Sequence, residues 1–386
     1  MNEKSNRSNL LGAATFLTAT HFLVHIYSQF LPAVLPILSL EMRLSLTDAG
    51  LLVSLPLIVQ TLMYLFAGVA ADKAPRVMMV AAFVSVAAGA ISVTSSGNFS
   101  GLIIGFSLIA LGSTFYHPPA LKATSEVDPE KRSLIMGIQN AGGSLGYAAG
   151  PIVLGILTPF IGWRRAMLLW LPIIACAAIY SYAYARHIHE TKSVRRAGWR
   201  PILRWDLATF IIIGASTDAA FTILTTYLTI YFTQGLGNPA TTSSIIFGIG
   251  AAAGVIGSLS GGVIAERLGR GTVYTGLIAL MAASALLIPI THDLPVAAIF
   301  YVCWRIFYSS TMPLTNLNVA DSSPLEARST AFGAYQVVSN LFSAAVPLLG
   351  SAAIQSLGVA SIFPLSAAIL GPCIIGLIWL TFKKRF

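Results

Sequence analysis

The chain has 386 residues, 56% of them hydrophobic and only 10% charged, with a formal net charge of +9 and a mean hydropathy of +0.78. A soluble globular domain of this length does not carry so much apolar and so little charged surface, so composition alone excludes one. The basic excess does not point to nucleic acid either, because no basic folded domain gathers it, and no nucleic-acid partner is expected.

Apolar runs of membrane-spanning length recur from one end to the other, each needing about 20 residues to cross roughly 30 Å of hydrocarbon. In chain order they cover approximately residues 9–38, 48–71, 77–96, 101–121, 133–159, 165–186, 205–232, 241–265, 271–290, 294–318, 329–356 and 358–381. No water is available to satisfy free backbone groups there, so such segments must be helices. The expected fold class is an all-α membrane protein of twelve transmembrane helices, with the bilayer as its solvent. The charged start MNEKSNR precedes a segment too long and too polar in places for a cleaved signal peptide, and it reads as the retained first span. Nineteen of the 23 Lys and Arg fall in the N-terminal tail, the even-numbered connections and the C-terminal KKRF; only Arg43, Arg164 and Arg165 lie on the opposite side, with Arg305 inside a span. By the positive-inside rule both termini are cytoplasmic in a cell (inner) membrane. Cys176, Cys303 and Cys373 sit singly in apolar spans, which indicates neither a disulfide framework nor a zinc site.

The longest charged connection, His187 to Trp205, divides the spans six and six, giving a first bundle over 1–186, a linker over 187–204 and a second bundle over 205–386. The halves correspond. Gly68, Asp72 and Arg76 match Gly262, Glu266 and Arg270 at an offset of 194, and Glu130, Arg132, Ser133, Gly137 and Pro151 match Glu326, Arg328, Ser329, Gly333 and Pro347 at an offset of 196. A six-plus-six duplication is the architecture of an alternating-access carrier.

The stretch GVAADKAPR, residues 68–76, resembles the loop signature G-x-x-x-D-(R/K)-x-x-(G/R)-(R/K) that the major facilitator superfamily places between its second and third helices. Ala74 and Pro75 replace the usual apolar-Gly pair. The resemblance covers the whole chain in topology and implies two pseudo-symmetric six-helix halves. It also implies a conformational latch, with Gly68, Asp72 and Arg76 in the first copy and Glu266 and Arg270 in the second. Gly137, Gly146, Gly150, Pro151 and Gly155 fit the fifth-helix pattern G-x8-G-x3-GP-x2-GG of antiporter branches, with Leu154 replacing one glycine. Gly146 and Gly150 make a small-xxx-small face for close helix approach, and Pro151 removes a backbone bond, so this helix reads as hinge and seal together. The sequences THFLVHIY and GSTFYHPPA, followed by QNAGGSLGYAAGP, resemble the fosmidomycin-resistance subfamily, with its F-H-P-x-(A/S) turn. That subfamily tends to carry an acidic or polar group where this chain has His25.

Titratable groups inside the spans are few: His21, His25, His117, Asp218 and Arg305. A charged side chain near the bilayer centre costs on the order of 2.5–3.5 kcal/mol even on a lenient scale, so it faces a cavity or a partner. Asp218 and Arg305 read either as functional groups or as a structural ion pair between the seventh and tenth helices. His21 and His25 are one turn apart and point the same way. His117 precedes Pro118 and Pro119, which predicts a broken or kinked helix beside a ring that titrates near ~6.5. Proton coupling is assigned to His21, His25, His117 and Asp218. A substrate cavity is expected from His21, His25, Tyr27, Gln139, Asn140, Arg305, Tyr308, Gln336 and Asn340.

The expected function is secondary active transport of a small organic, anionic molecule, as a proton-coupled antiporter in efflux. Uptake of an organic carboxylate with protons is the alternative, and a non-transporting receptor on a carrier fold is a further one. No Walker, Rossmann or metal-ligand spacing occurs, so neither enzyme activity nor a cofactor or metal is expected beyond the proton gradient. A functional monomer suits this fold class.

Overall fold

The computed structural model describes residues 3–127, 132–184, 204–324 and 328–382. Nearly all of the expected linker 187–204 lies outside the described residues. Helix α1 (Glu3–Ile26) and α2 (Phe30–Glu41) make the first crossing, joined by a tight 3-10 turn at Tyr27–Gln29. There follow α3 (Leu46–Lys73), α4 (Pro75–Ser95), α5 (Phe99–Val127), α6 (Arg132–Leu168) and α7 (Leu171–Tyr184). The second half holds α8 (Trp205–Ile230), α9 (Ala240–Leu268), α10 (Arg270–Leu287), α11 (Leu294–Asp321), α12 (Arg328–Leu357) and α13 (Ile362–Phe382). No strand occurs among the described residues.

Among the described residues, ten stretches are long and apolar enough to cross a membrane by themselves. One of them, Ile138–Ala183, has 46 residues and is too long for a single crossing. It breaks at Gly162, whose φ of 78° lies in the region only glycine enters freely. Dividing it there, and adding the 28-residue α11, which Arg305 and several hydroxyl and amide side chains make less apolar, yields twelve passes of crossing length.

Local chemistry fixes the ends. Ser45 starts α3 with a reciprocal capping box: its hydroxyl accepts from the Asp48 amide at 3.1 Å, and the Asp48 carboxylate accepts from the Ser45 amide at 2.9 Å. Glu41, at the end of α2, accepts from the Trp163 indole at 2.8 Å and pairs with Arg164, whose Nε donates to the Thr94 carbonyl at 3.1 Å. One carboxylate thus ties three passes together at the end of the bundle away from the termini.

Close helix packing follows the glycines. A Cβ at Gly142, Gly146 or Gly150 of α6 would stand 2.5, 2.3 or 2.1 Å from the carbonyl oxygens of Thr18, Phe22 and Ile26 of α1. Three glycines at four-residue spacing therefore meet three carbonyls at four-residue spacing, a backbone-to-backbone seam. Gly155 faces the other half instead, with the Thr241 carbonyl of α9 2.6 Å from its Cβ position. Pro151 lies within continuous helix, and the side of α6 at Gly137 is outside the described residues.

Two sequence expectations need correction. The helix break at His117 does not occur: α5 runs unbroken through Pro118 and Pro119 to Val127. Each proline removes one backbone donor, freeing the carbonyls of Thr114 and Phe115, yet the helix continues on both sides of them. The sixth pass, expected as one run, is interrupted between α6 and α7.

All three hydrogen bonds found between the halves among the described residues lie toward the end away from the termini. Thr229 donates to the Pro32 carbonyl, Ser244 to the Ala33 carbonyl at 2.8 Å, and Gln355 to Thr47 at 3.1 Å. The first has a local cause. Pro36 has no N–H, so the Pro32 carbonyl loses its intrahelical donor, and the hydroxyl from the other half supplies one.

Candidate functional site

The first half brings His21, His25 and His117 together, with one ring nitrogen of each within 4.8 Å of the others. His21 and His25 come from successive turns of α1, and His117 from α5. His21 Nδ1 lies 2.7 Å from the Gln139 carbonyl of α6, and since a carbonyl only accepts, that nitrogen carries the hydrogen. His21 Nε2 then accepts from His25 Nε2–H at 3.1 Å, and His25 Nδ1 accepts from the Ser28 hydroxyl at 3.1 Å. The three rings are in mutual contact, with His117 at 5.3 Å from His21 and 5.1 Å from His25 between centroids. Tyr116 stacks on His21 and is itself held by Thr20 and the Leu17 carbonyl. A Cβ at Gly143 would fall 2.6 Å from the His21 ring, so α6 lies flat against that imidazole.

The second half builds a different arrangement around Asp218 of α8. Tyr308 of α11 donates to one carboxylate oxygen at 3.0 Å; Tyr335 and Ser339 of α12 donate to the other at 2.7 and 2.5 Å. Arg305, only 7% exposed, does not join them. The Asp218–Arg305 ion pair, one of the two readings the sequence left open, is absent from the ion pairs among the described residues. Three hydroxyls already satisfy the carboxylate. The guanidinium instead lies 4.7 Å from the Phe221 ring centroid and 5.8 Å from that of Tyr308, with its Nε buried and without a hydrogen-bond partner. Phe221, Tyr308 and Trp304 stack on one another and wall this site. Tyr308 therefore contacts both charges, its hydroxyl on Asp218 and its ring beneath Arg305.

A cavity of about 220 Å³ lies between the halves, lined by Tyr27, Ser28 and Tyr147 from the first and by Phe221, Thr222 and Thr225 from the second, among others; of the residues expected to form a substrate cavity, Tyr27 alone is on its wall. Tyr147 stands on the cavity wall with its ring 4.4 Å from His25.

The remaining expected residues divide. Tyr27 lines the cavity with its ring, but its hydroxyl donates to the Met167 carbonyl at 2.7 Å. Gln139 is buried beside Tyr116, while Asn140 is exposed. Gln336 donates to Asn340 at 3.2 Å, away from Asp218. The latch residues are partly placed: Arg76 stacks on Tyr182 at 3.3 Å, Glu266 is exposed, and Arg270 pairs with Asp321 of α11 rather than Glu266. The surroundings of Gly68 and the side chain of Asp72 are outside the described residues. Reading the sequence missed Tyr335, Ser339 and Tyr147. Tyr335 and Ser339 stand one residue from Gln336 and Asn340, so the same four-residue spacing marks both faces of α12 and hydrophobicity does not choose between them.

A family model described as Major Facilitator Superfamily matches residues 17–347 and 210–385. The fosmidomycin resistance protein of Escherichia coli is 21% identical over 290 residues, covering 72% of this chain and 70% of the relative. The cis,cis-muconate transport protein of Acinetobacter baylyi is 24% identical over 329 residues, covering 80% and 78%. A solved bacterial homolog of the human lysosomal transporter Spinster, in an inward-facing and occupied conformation, superposes with a TM-score of 0.78 at 15% identity, covering 98% of each chain, a likeness of fold. The chain is a multi-pass membrane transporter of the secondary kind, and it belongs to the Major Facilitator Superfamily.

Proposed function

We propose that this transporter moves a small organic anion in exchange for protons, with Arg305 holding the anionic group and Asp218 carrying the coupling proton. The observation that carries the reading is the pair of fates of these two charges. Asp218 is surrounded by hydroxyl donors, whereas Arg305 is buried and forms no ion pair among the described residues. An intramembrane guanidinium without a counter-charge is costly, and an anion entering between the halves relieves that cost. Its planar fork offers two parallel donors to a carboxylate or phosphonate. Tyr308 supplies the coupling: a proton on Asp218 changes the partner of the same ring that lies under Arg305.

The asymmetric closure supports alternating access in the inner membrane of the cell: the halves bond at the end away from the termini, and with both termini cytoplasmic, as the charge asymmetry favours, that closed end faces outward. The antiporter-type glycine seam of α6 favours efflux. Uptake of a carboxylate with protons is the second reading, favoured by the likeness to a muconate transport protein over 80% of the chain.

Uptake and exchange assays in proteoliposomes across phosphonates and carboxylates test the anion site. Arg305→Lys should keep the charge but weaken apparent affinity, and Arg305→Ala should abolish saturable transport. An Arg305→Ala protein with unchanged affinity would make Arg305 structural.

A further inference from the structure

We propose that His21, His25 and His117 form a binding site for one divalent transition-metal ion of the zinc class. The three ligand nitrogens lie within 4.8 Å of one another, and the His21 and His25 Nε2 atoms face each other at 3.1 Å. With metal–nitrogen bonds of about 2.0–2.1 Å, the edge of a tetrahedral site is about 3.4 Å, so this pair already stands near ligand spacing. His117 then has at most about 1.4 Å to close, which rotation of an imidazole about its side-chain torsions covers.

The surroundings of the first two rings are those of metal ligands. A metal-bound histidine ties off its other ring nitrogen on a carbonyl or another oxygen, which fixes the ring and its tautomer. His21 does so on the Gln139 carbonyl at 2.7 Å, and His25 on the Ser28 hydroxyl at 3.1 Å. On binding, His25 moves its hydrogen to Nδ1 and donates it to Ser28, whose hydroxyl accepts as readily as it donates. Gly143 holds the His21 ring flat by leaving no room for a Cβ. The unbroken course of α5 through Pro118 and Pro119 keeps His117 aimed at α1.

Three neutral imidazoles select Zn²⁺, Co²⁺, Ni²⁺ or Cu²⁺ over the hard ions Mg²⁺ and Ca²⁺. They leave the ion's double positive charge uncancelled in a buried site, so the fourth ligand is an anionic oxygen, hydroxide or carboxylate. The side open to it is bounded by Tyr147 and Ser28, both on the cavity wall. The ligands come from α1 and α5 alone, so a bound ion staples the first half together without bridging to the second. The site depends on neither the substrate nor the direction of transport.

The chain contains six histidines, and the others are His187, His189 and His292. The test uses the full-length protein, purified in detergent with a non-histidine tag, carrying His187→Gln, His189→Gln and His292→Gln. It is titrated with Co²⁺ while visible ligand-field absorption and the cobalt-to-protein ratio after gel filtration are followed. The expected result is about one cobalt per chain with tetrahedral-type absorption, displaced by Zn²⁺. Adding His21→Gln or His117→Gln should weaken binding at least about tenfold, and Ser28→Ala about tenfold. This parent protein keeps all three ligands, so monodisperse protein that binds no stoichiometric cobalt overturns the proposal, as does an absorption unchanged by His117→Gln.

Discussion

Gly150→Ala tests the seam that positions the histidine-bearing helix. Its new Cβ would stand 2.1 Å from the Ile26 carbonyl oxygen and 3.3 Å from Phe30 Cε2. A comfortable carbon–oxygen contact needs about 3.3 Å, so α1 and α6 must separate locally by about 1.2 Å. The obstacle is backbone and has no rotamer to change, and overpacking of this kind costs ~1–3 kcal/mol. Alanine also favours helix over glycine by ~1 kcal/mol, which partly hides the cost. Gly276→Ala and Gly371→Ala supply the comparison, because nothing lies within 4 Å of either Cβ position and only the propensity gain remains. Thermal unfolding in one detergent, followed by tryptophan fluorescence, should rank Gly150→Ala several degrees below both controls. If all three melt together, the helices do not meet backbone to backbone at Gly150, and the packing that orders His21 and His25 has another source.

Thr229→Val removes the hydroxyl that serves the Pro32 carbonyl orphaned by Pro36. Losing one such bond costs ~1 kcal/mol, which shifts the population closed at that end by about fivefold. A cysteine placed at Leu31, buried on the cavity wall beside Pro32, should then label faster from that side, and an unchanged rate would remove this bond from the gate. Topology is checked at Ser193, for which the charge asymmetry predicts a cytoplasmic position. A cysteine there should resist an impermeant reagent applied outside intact cells; rapid labelling would invert the orientation. Tyr308→Phe keeps the stacking on Phe221 but deletes the donor to Asp218, so substrate affinity at fixed pH should change little while the response to a pH gradient falls. Equal losses in both would separate Tyr308 from coupling.

Much of the architecture was legible because lipid leaves the backbone few choices: run length, charge asymmetry and the offset repeats pointed to two six-helix halves before any contact was known. The glycine seam was legible too, since Gly146 and Gly150 at four-residue spacing have few uses other than close approach. The continuity of α5 was not. Pro118 and Pro119 argue locally for a break, whereas α5 packs mainly against α4 and α3, and also against α1, and runs unbroken through them. The partners of Asp218 stayed open between two readings for a related reason. Charge suggests Arg305, but which groups face a carboxylate depends on helix rotation, and a one-residue phase difference exchanges Tyr335 and Ser339 for Gln336 and Asn340. The histidine cluster lay between these cases: His21 and His25 are paired by spacing, whereas His117 reaches them only through the tertiary packing of α5.

The central claim is that Asp218 carries the proton that drives movement of an anion held by Arg305. The most direct measurement compares wild-type protein with Asp218→Asn in liposomes, recording substrate flux with and without an imposed pH gradient. The account predicts that the gradient accelerates wild-type flux and leaves Asp218→Asn unaffected, while both exchange substrate when the pH is equal on the two sides. An Asp218→Asn protein that still concentrates substrate on a pH gradient would contradict it.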